Sequence, residues 1–218
     1  RSRGTSEADA ALRQGRCGRS GEIFLTIGTT KGACRKLQAP FIFLDADWGK
    51  RVILKAEQGI YFRGEGAYMK VVFLNGSPHE KGCTYTALQE IAKVLDQAGV
   101  DHELVQIGKG AVHGCIACMH CRKTGRCVFG DDAVNVLLEK LQSADVFVVG
   151  SPVYYAGMSG QVKCILDRLF FAGSGYAGKL GAAVVSCRRG GASAAFDQIN
   201  HYFSISNMHV VSSQYWNQ

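Results

Sequence analysis

The feature that most constrains this chain is a change of hydrophobic period that repeats from residue 69 onward. Val71, Val72, Phe73 and Leu74 form a short apolar run. A strand buried on both faces of a parallel sheet needs such a run. Asn75-Gly76-Ser77-Pro78 interrupts it. Ala87, Leu88, Ile91, Val94, Leu95 and Ala98 then recur at helical spacing, and Gly99 is placed to end that helix. The alternation continues to the end of the chain. Strands are expected at 102–107, within 145–150, and at 182–186 and 209–213. Helices are expected behind Asp131/Asp132, through Val162, Ile165, Leu166, Leu169 and Phe170, and over 192–203.

Strands that alternate with helices imply a parallel sheet covered on both faces. Five strands with connections of this length predict an α/β, doubly wound, flavodoxin-like fold of order 2-1-3-4-5. The chain stops at Gln218, directly after the fifth expected strand. The helix that would cover that strand is absent from the sequence, so a bare apolar sheet surface is expected there.

The first 68 residues read differently from the rest. Residues 1–21 are polar and rich in Gly, Arg and Ser, a composition that favours disorder. Apolar runs at 23–27, 41–44 and 52–54 are candidate strands without consistent alternation. Met69 stands where an initiator would, and residues 63–68 can be encoded by a purine-rich stretch resembling a bacterial ribosome-binding site. The expectation is a poorly structured extension over 1–68, read as translated upstream sequence rather than native protein, and one folded domain over 69–218.

Charge supports this division. The whole chain carries +7, but residues 1–68 hold 12 Lys+Arg against 7 Asp+Glu, leaving only +2 for the remainder. No nucleic-acid motif or basic stripe accompanies the excess, so a nucleic-acid partner is not expected. No apolar run approaches the roughly 18 residues of a membrane span. There is no export signal, and the cysteine count of nine is odd. Both argue for a cytoplasmic protein rather than a disulfide scaffold.

Three loops at strand C-termini carry candidate binding chemistry. The first, 76–86, follows the first strand and opens a helix. There Ser77, Thr84 and Thr86 offer hydroxyls, and Gly82 permits close backbone approach to an anion. Its spacing matches neither the nucleotide P-loop nor the dinucleotide fingerprint. The second loop holds Pro152, Val153, Tyr154, Tyr155 and Gly157, where two tyrosines can flank a flat ring. The third, Ser186-Cys187-Arg188-Arg189-Gly190-Gly191, offers two cations beside a flexible pair. A phosphate nest and an aromatic clamp meeting at one crevice suit flavin mononucleotide.

A fourth motif is Cys115-x2-Cys118-x2-Cys121-x5-Cys127. Thiolates crowded this closely repel, which a metal relieves. The spacing suits a [4Fe–4S] cluster or a structural zinc, with free redox-reactive thiols as the third reading.

These residues together resemble the NADPH-dependent FMN reductase-like family, and within it the iron–sulfur flavoproteins. The resemblance rests on Asn75-Gly-Ser-Pro78 with Gly82 and Thr84, and on the four spaced cysteines. It extends through Asp131-Asp132, Ser151-Pro-Val-Tyr154, and Lys163 with Asp167-Arg168. It implies that Ser77, His79, Gly82, Cys83 and Thr84 contact the FMN phosphate. It implies too that Pro152, Val153, Tyr154 and Tyr155 line the isoalloxazine, with residues 186–191 at its far edge. Cys83 departs from the Asn often found there in the family, which removes an amide donor.

By the same resemblance the protein is a homodimer or homotetramer. It is expected to take electrons from NAD(P)H, with the flavin as the reactive group and no catalytic side chain, and to pass them to a quinone, flavin or other small acceptor. The alternatives are an electron carrier passing electrons between FMN, a [4Fe–4S] cluster and a ferredoxin-like partner, and a thiol or metal redox sensor.

Overall fold

The computed structural model describes residues 69–211, together with three short strands of the preceding segment. Those three are β1 (Glu22–Leu25), β2 (Ile53–Ala56) and β3 (Gly59–Phe62). β2 and β3 pair as an antiparallel hairpin. The candidate strand at 41–44 lies outside the described residues.

The domain proper begins with β4 (Lys70–Asn75), followed by α1 (Cys83–Gln97) and β5 (Asp101–Gln106). A short helix α2 (His120–Thr124) and the longer α3 (Ala133–Ser143) precede β6 (Val146–Tyr154). Then come β7 (Gly157–Met158), α4 (Gly160–Ala172), β8 (Leu180–Cys187), α5 (Ala192–Ile205) and β9 (His209–Val210).

The sheet runs β5-β4-β6-β8, with β9 parallel on the first residues of β8. Leaving out β7, which folds back on β6 as a hairpin, this is the order 2-1-3-4-5; counting it gives 2-1-3-5-6. β1 adds antiparallel to the last residues of β8. Several elements differ in extent from the sequence reading, β6 and β9 most in consequence. β6 runs on to Tyr154, because β8 pairs with it through Pro152 and β7 pairs with Val153 and Tyr154. β9 has two residues, and positions 212 and 213 of the expected strand lie outside the described residues.

The apolar runs form strands because both faces of the sheet are covered. Val71–Leu74 are at most 1% exposed. Val72, Leu74, Phe147, Val149, Ala183 and Val185 face one core shared with α3, α4 and α5. Val71, Phe73, Val146, Val148, Ala182 and Val184 face the other, packed on α1. This is the two-residue alternation of a strand, with each parity given its own layer. Gly181 faces a close neighbour, since a Cβ there would lie 2.5 Å from the Phe203 ring.

No helix follows β9 among the described residues. Even so, Val146, Val148, Ala182 and Val184 on that face are at most 2% exposed. The sheet face is therefore covered over β6 and β8, and the expected bare apolar surface narrows to β9. α1 lies across β6 and β8 as well as β4 and β5. Val210 is the exposed apolar residue at that edge.

Candidate functional site

β4, β6 and β8 end together, and their loops are tied to one another by specific contacts. Gly76 N–H donates to the Gly150 carbonyl at 2.8 Å. Ser159 Oγ donates to the Gly76 carbonyl at 3.2 Å. Ser151 Oγ accepts from Ser159 N–H at 3.0 Å. Ser151 and Ser159 are both buried, and Ser159 also caps α4 by accepting from Val162 N–H.

Glycine is required where these strands meet. A Cβ on Gly76 would lie 2.1 Å from Val162 Cγ2 and 2.4 Å from the Gly150 oxygen. A Cβ on Gly150 would lie 2.9 Å from both Leu88 Cδ1 and Thr84 Cγ2. With no side chain there, α1 passes close over β6, and Thr84 reaches across to β8. Its hydroxyl lies 2.7 Å from that of Ser186, and both residues are buried.

The loop after β4 is held from within and from β5. Asn75 Oδ1 accepts from Ser77 N–H, and Ser77 Oγ accepts from His79 N–H. Gln106, the last residue of β5, donates to the Ser77 carbonyl at 2.7 Å and accepts from the Asn75 amide. Gly82 occupies the N-cap of α1 and provides no side-chain cap. Gly191 does the same for α5. By contrast, Asp132 and Ser159 cap α3 and α4 with their side chains. α1 and α5, whose N-termini adjoin these loops, are thus the long helices there without a side-chain cap. Uncapped N–H groups and the helix dipole favour an anion.

The structure brings the three sequence-predicted loops together. Ser77, Gly82 and Thr84 are buried, Cys83 is half-buried and His79 is exposed. Pro152, Val153 and Gly157 are partly buried on the β6–β7 hairpin. Tyr154 is about half exposed and Tyr155 fully exposed at its tip. Tyr155 and Ala156 both have positive φ, 50° and 62°, which is costly for residues other than glycine. Gln198 of α5 fixes the hairpin by accepting from Met158 N–H. The Gly191 backbone comes so close that a Cβ there would lie 2.5 Å from Ala156 Cα. Arg188, Arg189 and Gly190 are exposed, and Ser186 lies beneath them.

The four cysteines of the spaced motif all border one pocket beyond β5. Ala117 and Met119 have φ of 52° and 59°, so the backbone reverses between successive thiols. The remaining wall is Ile116, Val128, Phe129, Phe171 and Ala172, with Arg168 as its charged member. Among the described residues, no group of three or more His, Cys, Asp or Glu is placed to hold a metal ion. Asn135 anchors the last cysteine: its Oδ1 accepts from Cys127 N–H, and its Nδ2 donates to the carbonyls of Cys127 and Phe129. Arg168 pairs with Asp132, and the two side chains are 1% and 4% exposed.

Sequence reasoning did not single out Gln106, Gln198, Ser159 or Asn135 for these roles. Two of them carried a signal. Ser159 directly precedes a helical run, which is an N-cap position. Asn135 is a polar residue among Val134, Leu137 and Leu138 on the buried side of α3. Gln106 and Gln198 act across long sequence separations, which periodicity does not register.

Residues 69–218 match the family model described as NADPH-dependent FMN reductase. An iron–sulfur flavoprotein of Methanocaldococcus jannaschii is 34% identical over 147 residues, covering 66% of this chain and 76% of that protein. An iron–sulfur flavoprotein of Methanosarcina thermophila is 30% identical over 148 residues, covering 66% and 77%. Among solved structures, a flavodoxin from the domain Archaea aligns with a TM-score of 0.43 at 18% identity, covering 65% of this chain and 78% of that one.

Proposed function

The chain belongs to the NADPH-dependent FMN reductase family, and from that premise we propose that it is an FMN-dependent oxidoreductase taking electrons from NAD(P)H to a quinone, a flavin or another small acceptor. The observation that carries this reading is the crevice where α1 and α5 open without side-chain caps, roofed by the β6–β7 hairpin. The first N–H groups of α1 and the hydroxyls of Ser77, Thr84 and Ser186 would hold the phosphate. Arg188 and Arg189, exposed on the same rim, would neutralise charge. Pro152, Val153, Tyr154 and Tyr155 would lie along the ring system, and the strained turn at Tyr155–Ala156 fixes where the tip projects. Bound there, FMN supplies the redox chemistry. The residues of the crevice bind and orient it, and none of them is assigned a catalytic proton transfer.

Thr84→Ala tests the phosphate assignment. It removes a hydroxyl from the crevice and leaves Ser186 without its buried partner. FMN affinity is expected to fall about tenfold, equivalent to ~1.4 kcal/mol. Titration of apoprotein with FMN, followed by quenching of flavin fluorescence, measures it. Unchanged affinity removes Thr84 from the phosphate site.

A second reading, an iron–sulfur flavoprotein that also transfers electrons one at a time to a ferredoxin-like partner, draws on the cysteine pocket. Four thiols border one cavity whose other walls are apolar apart from Arg168. Cys115, Cys118, Cys121 and Cys127 would be the ligands, and a bound [4Fe–4S] cluster would supply one-electron transfer. Cys121→Ser is expected to abolish iron and sulfide incorporation while leaving FMN content unchanged. Iron, sulfide and flavin analysis after anaerobic purification checks this.

The absorbance spectrum of the same preparation decides among the readings. Flavin bands support an FMN protein, and an added broad shoulder supports the cluster. A protein with neither chromophore overturns both and favours a thiol sensor. NAD(P)H oxidation without added ferredoxin then separates the oxidoreductase from the electron carrier.

A further inference from the structure

Among the described residues, Arg168 is the one charged side chain bordering the cysteine pocket, and it is 2% exposed. It projects from α4, the helix beneath the 115–129 segment. Its Nη2 donates to Asp132, but Nε and Nη1 are buried with no hydrogen-bond partner among the described residues. Its guanidinium lies 5.3 Å from the centroid of the Phe129 ring, and Phe129 is another wall of the same pocket.

Buried guanidinium donors are rarely left unmade, because each costs the desolvation of a charged group. Asp132 uses one carboxylate oxygen for Arg168 and the other to cap α3. Phe129 supplies only a ring face. The neighbouring acceptors of matching charge are the sulfurs that would meet in the pocket.

We infer that Arg168 is a positioning and tuning residue for the cluster, donating from Nε or Nη1 to a thiolate or sulfide sulfur. This rests on the reading of Cys115, Cys118, Cys121 and Cys127 as cluster ligands. It assigns two roles to one buried ion pair. Asp132 fixes the plane of the guanidinium, and the free edge of that plane addresses the sulfurs. A cation and hydrogen bonds at sulfur favour the more negative, reduced state, so Arg168 raises the cluster's reduction potential. Lysine at this position retains the charge but loses the planar fork that serves Asp132 and the pocket together.

The test uses the full chain purified anaerobically, with FMN content as the measure of folding. In wild type with 15N-labelled arginine, electron–nuclear double resonance of the reduced cluster is expected to show a coupled arginine nitrogen. The coupling should persist in Arg122→Lys and Arg126→Lys, the arginines within the cysteine segment, which assigns it without disturbing the buried pair. Arg168→Lys should lose the coupling. It should also shift the reduced-to-oxidised ratio at fixed potential at least tenfold toward oxidised, a lowering of ~59 mV for one electron.

Absence of coupling in a wild type that holds its cluster overturns the role of Arg168 and leaves the cluster reading intact. So does an unchanged potential in a loaded Arg168→Lys protein. A wild type that incorporates no iron or sulfide overturns the cluster reading and this inference together. If Arg168→Lys does not fold, the labelled wild type and the two surface variants still decide the question.

Discussion

Gly76→Ala is expected to destabilise the domain by about 3 kcal/mol or more and to abolish flavin binding. The reason is geometric. The added methyl would lie 2.1 Å from Val162 Cγ2 and 2.4 Å from the Gly150 carbonyl oxygen. Val162 is fully buried in the larger core and cannot swing away. The Gly150 oxygen belongs to the backbone of the central strand β6, and it accepts the Gly76 N–H bond. Relieving the clash means parting β4 from β6 at the point where the anion loop departs. Ser159, which donates to the Gly76 carbonyl and caps α4, is displaced by the same movement. Thermal unfolding of the apoprotein measures the stability loss, and FMN titration measures the binding. A variant with wild-type stability and affinity would show that this junction tolerates a side chain.

Asp132→Ala is expected to cost more, about 4–6 kcal/mol in a fully folded reference. It removes an N-cap, worth about 1 kcal/mol, and leaves Arg168 as a buried cation with no carboxylate partner. Breaking a buried pair from one side typically costs ~3–5 kcal/mol, because the surviving charge stays out of water. Asp132→Asn isolates the second term. The amide oxygen still accepts from Val134 N–H, so the cap survives while the charge is lost. Urea unfolding of both variants separates the two contributions. A loss below about 1 kcal/mol in Asp132→Ala would mean that the guanidinium finds other partners.

Much of the architecture was legible in the chain. The runs at Val71–Leu74 and at Val146, Phe147, Val148 and Val149 could only be buried on both faces. The helical spacing of Leu88, Ile91 and Leu95 marked the side of α1 that packs down. Asp132 was readable as a helix cap because capping is a local event. The loops after β4, β6 and β8 could be placed at one crevice by topology, since a doubly wound sheet gathers strand C-termini at its switch point. The spaced cysteines were visible as a set. Their common pocket depends on α4 supplying Arg168, Phe171 and Ala172 from some 50 residues further along the chain.

What the sequence alone determined is therefore the order of elements, the two-layer cover of the sheet and the chemical character of each loop. These follow from interactions between near neighbours, whose spacing along the chain equals their spacing in an element. The tertiary structure alone decided that Thr84 meets Ser186, that Gly76 and Gly150 must lack side chains, that Gln106 and Gln198 hold the loops, and that Arg168 shares a pocket with four thiols. Each is a contact between residues far apart in sequence. It comes into being only when parallel strands align in register and helices pack across them, and no local pattern records it.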